Sequence, residues 1–322
     1  MDIRAVIAAV TPAYLLVAIG AWLRKVEWLT HEADESLLRV VVNVMTPCLI
    51  LENVMGNEAL RRPGNVLLPP VMGFLGAAWG VWLAGRVVRW SGVRTEAERR
   101  TFVATAGFQN YGYAALPLVT LLFPRETTGV LFLHNLGVDV ALWTLGLVTF
   151  GHASWREWRK LANPPLLAVV AGVVLNLAGV RFPGFLGSAV HMLGVGCFPL
   201  GLVLIGATLL ETTPQLRTAG GWRVMGAACG ARCVLAPVLM VLAARWLPAP
   251  VELKRVLVVQ AAMPAAVFPI VMARHYGGDV LTSVRVVMAT SALGFVTIPF
   301  WVRLGSWVVA GVSGVFMGAG VP

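Results

Sequence analysis

Across 322 residues the chain is 58% hydrophobic and only 12% charged, with a mean hydropathy of +0.80; a soluble domain carries about 25% charged residues. This excludes an ordinary soluble enzyme and indicates an integral membrane protein. A net charge of +10 would suit nucleic acid, but 22 of the 25 Lys and Arg fall between or at the ends of apolar runs rather than on one basic face, and Arg39, Arg232 and Arg285 lie inside runs. They report orientation in a lipid bilayer, and no nucleic-acid partner is expected.

In chain order, runs of roughly 20 apolar residues, the length that crosses a hydrocarbon core, cover 5–23, 36–56, 65–88, 101–122, 127–150, 164–180, 185–210, 224–246, 254–273 and 281–302. An all-α membrane protein with ten transmembrane helices is expected. The start, 1–4 followed by an apolar run, resembles a signal peptide, but no small-residue cleavage site follows, so the first run reads as a span that stays. Nine of the 12 tryptophans, among them Trp90, Trp222, Trp246, Trp301 and Trp307, sit near span ends, as an aromatic belt requires. The apolar, glycine-rich tail 304–322 stays outside the ten. Cys48, Cys197, Cys229 and Cys233 lie within apolar runs without metal-ligand spacing, so neither a disulfide framework, a metal site nor a cofactor is expected.

Connectors 1–2, 3–4, 5–6, 7–8 and 9–10 carry 13 Lys and Arg against 9 on the opposite side. The positive-inside rule puts the richer side in the cytoplasm, including the connector 151–163, and both termini outside.

The fourth run is interrupted. Gly107-Phe-Gln-Asn-Tyr-Gly-Tyr-Ala-Ala-Leu-Pro117 places an amide pair, two glycines and a proline where lipid demands an unbroken helix. Pro117 lacks a donor and Gly112 frees the chain, so backbone groups are released at a depth without bulk water. Such a break survives only against a cavity or a ligand. The ninth run carries a second interruption, Gln260-Ala-Ala-Met-Pro264-Ala-Ala-Val-Phe-Pro269, and paired broken helices point to a transporter's binding site. Pro12 and Pro164, Pro47 and Pro199, and Pro117 and Pro269 are each 152 residues apart. Five spans per half turn the second half over, so the pattern reads as an inverted repeat, 1–150 and 164–303, with broken helices 4 and 9 crossing near mid-membrane.

Asn110-Tyr-Gly-Tyr-Ala-Ala-Leu-Pro117, Asn163-Pro-Pro-Leu-Leu-Ala, Pro199-Leu-Gly-Leu-Val-Leu-Ile-Gly206-Ala-Thr, Ala261-Ala-Met-Pro264 and Ala273-Arg-His-Tyr276-Gly-Gly-Asp279 together resemble the auxin efflux carrier family, whose bacterial members include malonate and malate permeases. The resemblance implies a five-plus-five fold like that of bile-acid symporters and sodium/proton antiporters. Helices 1, 2, 6 and 7 would form a scaffold, often dimeric, and helices 3–5 and 8–10 a moving transport domain of the elevator type. It also implies an organic anion as substrate and the bacterial cytoplasmic (inner) membrane as location. Ala265 and Ala266 stand where plant members tend to carry polar residues, a departure that speaks against plant-like auxin specificity.

Ionisable and amide residues within the spans supply the candidate site. Asp139 lies about 12 residues into its run, roughly 18 Å deep, and Arg232 roughly 14 Å deep. Two readings stand for this pair: a structural ion pair, or a carboxylate-attracting Arg232 with a proton-binding Asp139. Gln109, Asn110 and Tyr113 in the first break, Asn135 one turn before Asp139, and Gln260 one turn before Pro264 complete the substrate-binding set; the amides serve equally as caps of the broken ends. His134 reads as a polar residue packed between helices. The expected activity is secondary active transport of a small carboxylate, coupled to H+, with Na+ coupling or uniport as the alternative. A channel lacks a continuous polar path here, and an intramembrane enzyme lacks a nucleophile or metal motif. A ligand sensor that does not transport is the remaining alternative.

Overall fold

The computed structural model describes residues 3–112, 114–152, 162–216 and 221–313. Tyr113, the middle of the connector 151–163 and the end of the tail, 314–322, lie outside the described residues. Among the described residues seven helices are long and apolar enough to cross a membrane. In chain order the helices are α1 Ile3–Lys25, α2 His31–Val54, α3 Pro63–Trp90, α4 Glu96–Gly107, α5 Ala115–Leu122, α6 Arg125–Phe150 and α7 Pro164–Leu177. The rest are α8 Gly184–Leu216, α9 Trp222–Trp246, α10 Val251–Ala262, α11 Phe268–His275 and α12 Val280–Ser313. α7 is a shorter apolar helix, and the fourth and ninth apolar runs are each split, into α4 with α5 and α10 with α11. α12 continues past the last expected span into the segment read as a tail.

Local chemistry explains the ends and the kinks. Thr95 accepts the Glu98 N–H while Glu98 accepts the Thr95 N–H, a capping box that opens α4. Asn163 caps α7 through the Leu166 N–H, and α6 stops at left-handed Gly151, φ 81°. In α2 and α9 one widened turn, Val41–Met45 and Gly230–Leu235, immediately precedes Pro47 and Pro237, absorbing the clash that proline imposes on the preceding turn. The turn in α9 leaves the Cys233 carbonyl to accept the indole N–H of Trp301 at 2.7 Å. Trp301 is therefore buried in the protein rather than placed in the interfacial belt, in contrast to exposed Trp90, Trp222, Trp246 and Trp307.

Two helix pairs pack backbone to backbone. A Cβ at Gly20 would stand 1.9 Å from the Val203 carbonyl oxygen, and one at Gly206 the same distance from that of Val17, so α1 and α8 touch where only glycine fits. Gly137 and Gly73 do the same for α3 and α6, at 1.7 Å from the Pro70 oxygen and 2.0 Å from the His134 oxygen. α10 is enclosed on every side, buried from Glu252 through Ala262, as a helix at the centre of a bundle must be.

The proline offset maps unevenly. Pro47 and Pro199 are both inside long helices, and Pro117 and Pro269 both sit in the first turn after a break. Pro12 is inside α1, whereas Pro164 opens α7 at a position where its missing N–H costs nothing.

Candidate functional site

The two breaks meet. α4 ends at Gly107 and the chain runs extended through Phe108; α10 ends at Ala262 and runs extended through Met263. The Asn110 N–H donates to the Pro264 carbonyl at 2.7 Å and the Ala266 N–H to the Phe108 carbonyl at 2.9 Å, an antiparallel bridge centred on Gln109 and Ala265. Each break thus satisfies backbone groups that the other frees, which is how irregular backbone survives away from water. The carbonyl ends of α4 and α10 and the N–H ends of α5 and α11 converge on this crossing, with partial charges of both signs. α3 passes directly behind it, since a Cβ at Gly80 would lie 2.1 Å from the Gly107 oxygen.

Side chains from three further helices hold the crossing. From α9, Arg232, 1% exposed, donates Nε to the Met263 carbonyl at 3.0 Å and a second nitrogen to the Gln260 carbonyl at 3.5 Å. The Gln260 carbonyl is the one that Pro264, four residues on, has no N–H to fill. From α12, the Thr290 hydroxyl accepts the Ala265 N–H at 3.2 Å. The Gln260 amide donates at 3.0 Å both to the Tyr111 carbonyl and to Asn135 Oδ1 on α6. Tyr111 in turn donates its hydroxyl to Asp139 Oδ1. Asn135, Gln260, Tyr111 and Asp139 therefore form one connected network running from α6 into both breaks.

In front of the crossing lies a cavity of about 80 Å³. Its walls are apolar side chains of α1 (Val10, Val17), α8 (Leu202, Ile205) and α12 (Ile298), together with Pro117 and Pro264; its polar edge is Asn110, Tyr14 and Ser291. Asn110 Oδ1 accepts the Ala114 N–H at 3.3 Å, and among the described residues the Asn110 NH2 has no protein partner. Tyr14 bridges two walls by donating to the Ser291 carbonyl at 2.8 Å.

Of the residues singled out from sequence, Asn110, Pro117 and Pro264 border the cavity. Asn135, Asp139, Arg232 and Gln260 belong to the frame around the crossing, Gly112 and Pro269 lie in the breaks, and Tyr113 lies outside the described residues. Gln109 is buried, with its side-chain amide unpartnered among the described residues. The ion-pair reading of Arg232 with Asp139 is corrected: Arg232 is taken up by the carbonyls at the end of α10 and Asp139 by Tyr111. Tyr111, Thr290, Tyr14 and Ser291 are site residues that sequence reasoning missed. Tyr111 stands inside the first break and was open to view; Thr290 and Ser291 are small hydroxyls in a long apolar run and carry no such signal. Among the described residues no group of three or more His, Cys, Asp or Glu is placed to hold a metal ion.

A family model described as "Membrane transport protein" matches residues 5–157 and 153–302, nearly the whole chain. An "Uncharacterized transporter" of Methanothermobacter thermautotrophicus is 26% identical over 300 residues, spanning 89% of this chain and 94% of that protein. A "Probable auxin efflux carrier component 3b" of Oryza sativa subsp. japonica is 30% identical over 129 residues, 37% of this chain and 21% of the rice protein.

Proposed function

The chain belongs to the membrane transport protein family, that of the auxin efflux carriers, and is a multi-pass membrane protein; from this we propose that it carries a small organic anion, a carboxylate, by alternating access coupled to protons. The observation that carries the reading is the cavity in front of the crossed breaks, which offers to an anion, without a permanent countercharge, helix N-termini and the Asn110 NH2, which has no protein partner among the described residues. Its volume is well above the roughly 10–15 Å³ that admits a single water, so it has room for a compact ligand. The apolar walls exclude water from the remainder of the ligand.

Two groups of helices would move against each other in elevator fashion: α1, α2, α7 and α8 as a scaffold, pairing with a second copy, and α3–α6 with α9–α12 as the inverted, moving unit. Supporting this division, the two closest glycine-to-carbonyl pairings, α1 with α8 and α3 with α6, fall inside the groups and the cavity lies between them, while Gly129 of α6 makes a contact across the groups, where a Cβ would stand 2.9 Å from the Asn53 carbonyl oxygen of α2. Asp139 would take the coupling proton, because its carboxyl accepts from Tyr111, which is bonded through Gln260 to the second broken helix; a change of protonation reaches both breaks through one residue. Both termini outside the inner membrane of a bacterial cell completes the reading.

Counterflow of labelled dicarboxylates in proteoliposomes tests the activity, and imposed pH and sodium gradients test the coupling. Asp139→Asn should abolish pH-driven uptake while leaving counterflow. Transport driven by a sodium gradient alone, or pH-driven uptake surviving in Asp139→Asn, would refute the mechanism.

A further inference from the structure

Where the end of α3 meets the start of α9, three guanidinium groups lie against three exposed indoles. Arg86 is 4.9 Å from the Trp82 ring, Arg89 4.2 Å from Trp90 and Arg223 5.4 Å from Trp222. The indoles are 49%, 61% and 68% exposed in that order. The two helix ends form one patch, because the stem of Arg223 passes Gly92, its Cδ 3.2 Å from where a Cβ at that position would stand. Among the described residues none of these three arginines has a carboxylate partner. The acidic groups nearby are engaged: Glu96 pairs with Arg99 and Arg100, and Glu98 accepts the backbone N–H groups of Arg94 and Thr95. Arg285 of α12, packed against Gly221, adds a further positive charge at this end.

We propose that this patch binds the headgroup of an anionic phospholipid. The patch closes two apolar spans, so it sits at headgroup depth, where indole rings are at home. A guanidinium fork matches two phosphodiester oxygens, and stacking on an indole fixes its plane beforehand. The ammonium of a zwitterionic headgroup would be repelled by the same cluster. The outward stripe of α3 continues the site into the bilayer: Leu67, Val71 and Leu75, all exposed, precede Trp82 and Arg86 at helical spacing and offer a track for an acyl chain.

The experiment titrates the full-length protein in a neutral detergent with phosphatidylglycerol and with phosphatidylcholine of the same acyl chains, counting retained lipid by native mass spectrometry. Native protein should retain phosphatidylglycerol preferentially. Replacing Arg89→Gln together with Arg223→Gln should weaken that retention about 30-fold, the effect of two surface charges, with the melting temperature in phosphatidylcholine unchanged. Arg245→Gln, beside Trp246 at the opposite end of α9, should leave retention as in the native protein. Equal retention of the two lipids, undiminished retention in the double variant, or an equal loss in Arg245→Gln would overturn the proposal. Displacement of the lipid by millimolar inorganic phosphate would overturn it too, by reducing the patch to a plain anion site.

Discussion

Gln260→Leu is the sharpest probe of the crossing. Leucine keeps most of the volume of glutamine but removes the amide that joins α10 to the first break and to α6, at 3.0 Å in each case. The Tyr111 carbonyl and Asn135 Oδ1 then each lose this donor, at about 1–3 kcal/mol each. Gln260 Oε1 itself has no partner among the described residues, so its removal returns roughly 1–2 kcal/mol. The net loss spans about 0–5 kcal/mol with a midpoint of about 2.5, which at roughly 2 °C per kcal/mol for a chain of this size lowers the melting temperature by about 5 °C. The assay is thermal unfolding of the full-length protein in nanodiscs, followed by tryptophan fluorescence. Asn135→Val should be destabilising alone but add little on top of Gln260→Leu, since both cut the same bond. A melting temperature within a degree of the native value for Gln260→Leu, or strictly additive effects in the double variant, would refute the network as drawn.

Asn110→Ala should reduce labelled-dicarboxylate counterflow at least tenfold, because Asn110 lines the cavity and among the described residues its NH2 has no protein acceptor, while melting falls only by the roughly 1 kcal/mol of the lost Ala114 N–H bond; unaltered counterflow would remove the residue from the site. Gly137→Ala and Gly206→Ala each drive a methyl group into a backbone carbonyl and should cost about 1–3 kcal/mol or more, read as a fall in melting temperature, whereas Gly226→Ala, with nothing within 4 Å, should cost nothing. Glu98 is held below the ordinary carboxylate value chiefly by the Arg94 N–H and then by the Thr95 N–H. Its folded pKa is thus depressed, so the capping contribution is present above the unfolded value of about 4.3 and is lost as pH falls through the lower folded value. Glu98→Gln should accordingly melt below native protein at neutral pH, with the difference closing under acid; a constant difference across pH would contradict the assignment.

Proline, glycine and amide residues made the breaks legible before any coordinates, because each leaves a definite defect in a helix. Pro264 removes the donor that Gln260 would need, and Gly107 allows α3 to pass within contact at Gly80; both act through the backbone and leave the same mark in any sequence. Position along a span was legible too: Asp139 falls inside α6 and Arg232 inside α9. Direction was not. A count of residues fixes height along a helix but leaves rotation open, so Arg232 read as a partner for Asp139 although its guanidinium turns to the end of α10. Tyr111, which carries the bond to Asp139, was passed over for the same reason. Pro12 and Pro164 show the limit of spacing alone: equal separation from a partner does not make two prolines do the same work.

The division of labour around the crossing explains which part of the function a sequence displays. The frame, Gln260 with Tyr111, Arg232 with Met263 and Thr290 with Ala265, satisfies groups that any broken helix of this kind frees, whatever the cargo. The cavity wall is different: Val10, Val17, Leu202, Ile205 and Ile298 are ordinary apolar residues of long spans, and only their rotation toward the cavity distinguishes them from lipid-facing neighbours. An apolar wall discriminates by size, at about 1–3 kcal/mol for each methylene added or missing. On the proposed reading, choice among carboxylates is therefore set by the walls supplied by α1, α8 and α12, while the crossing sets only that the cargo is an anion. Ile205→Ala should then widen the range toward longer carboxylates in counterflow without loss of the shortest, and a uniform loss for all lengths would assign the selectivity to the breaks instead.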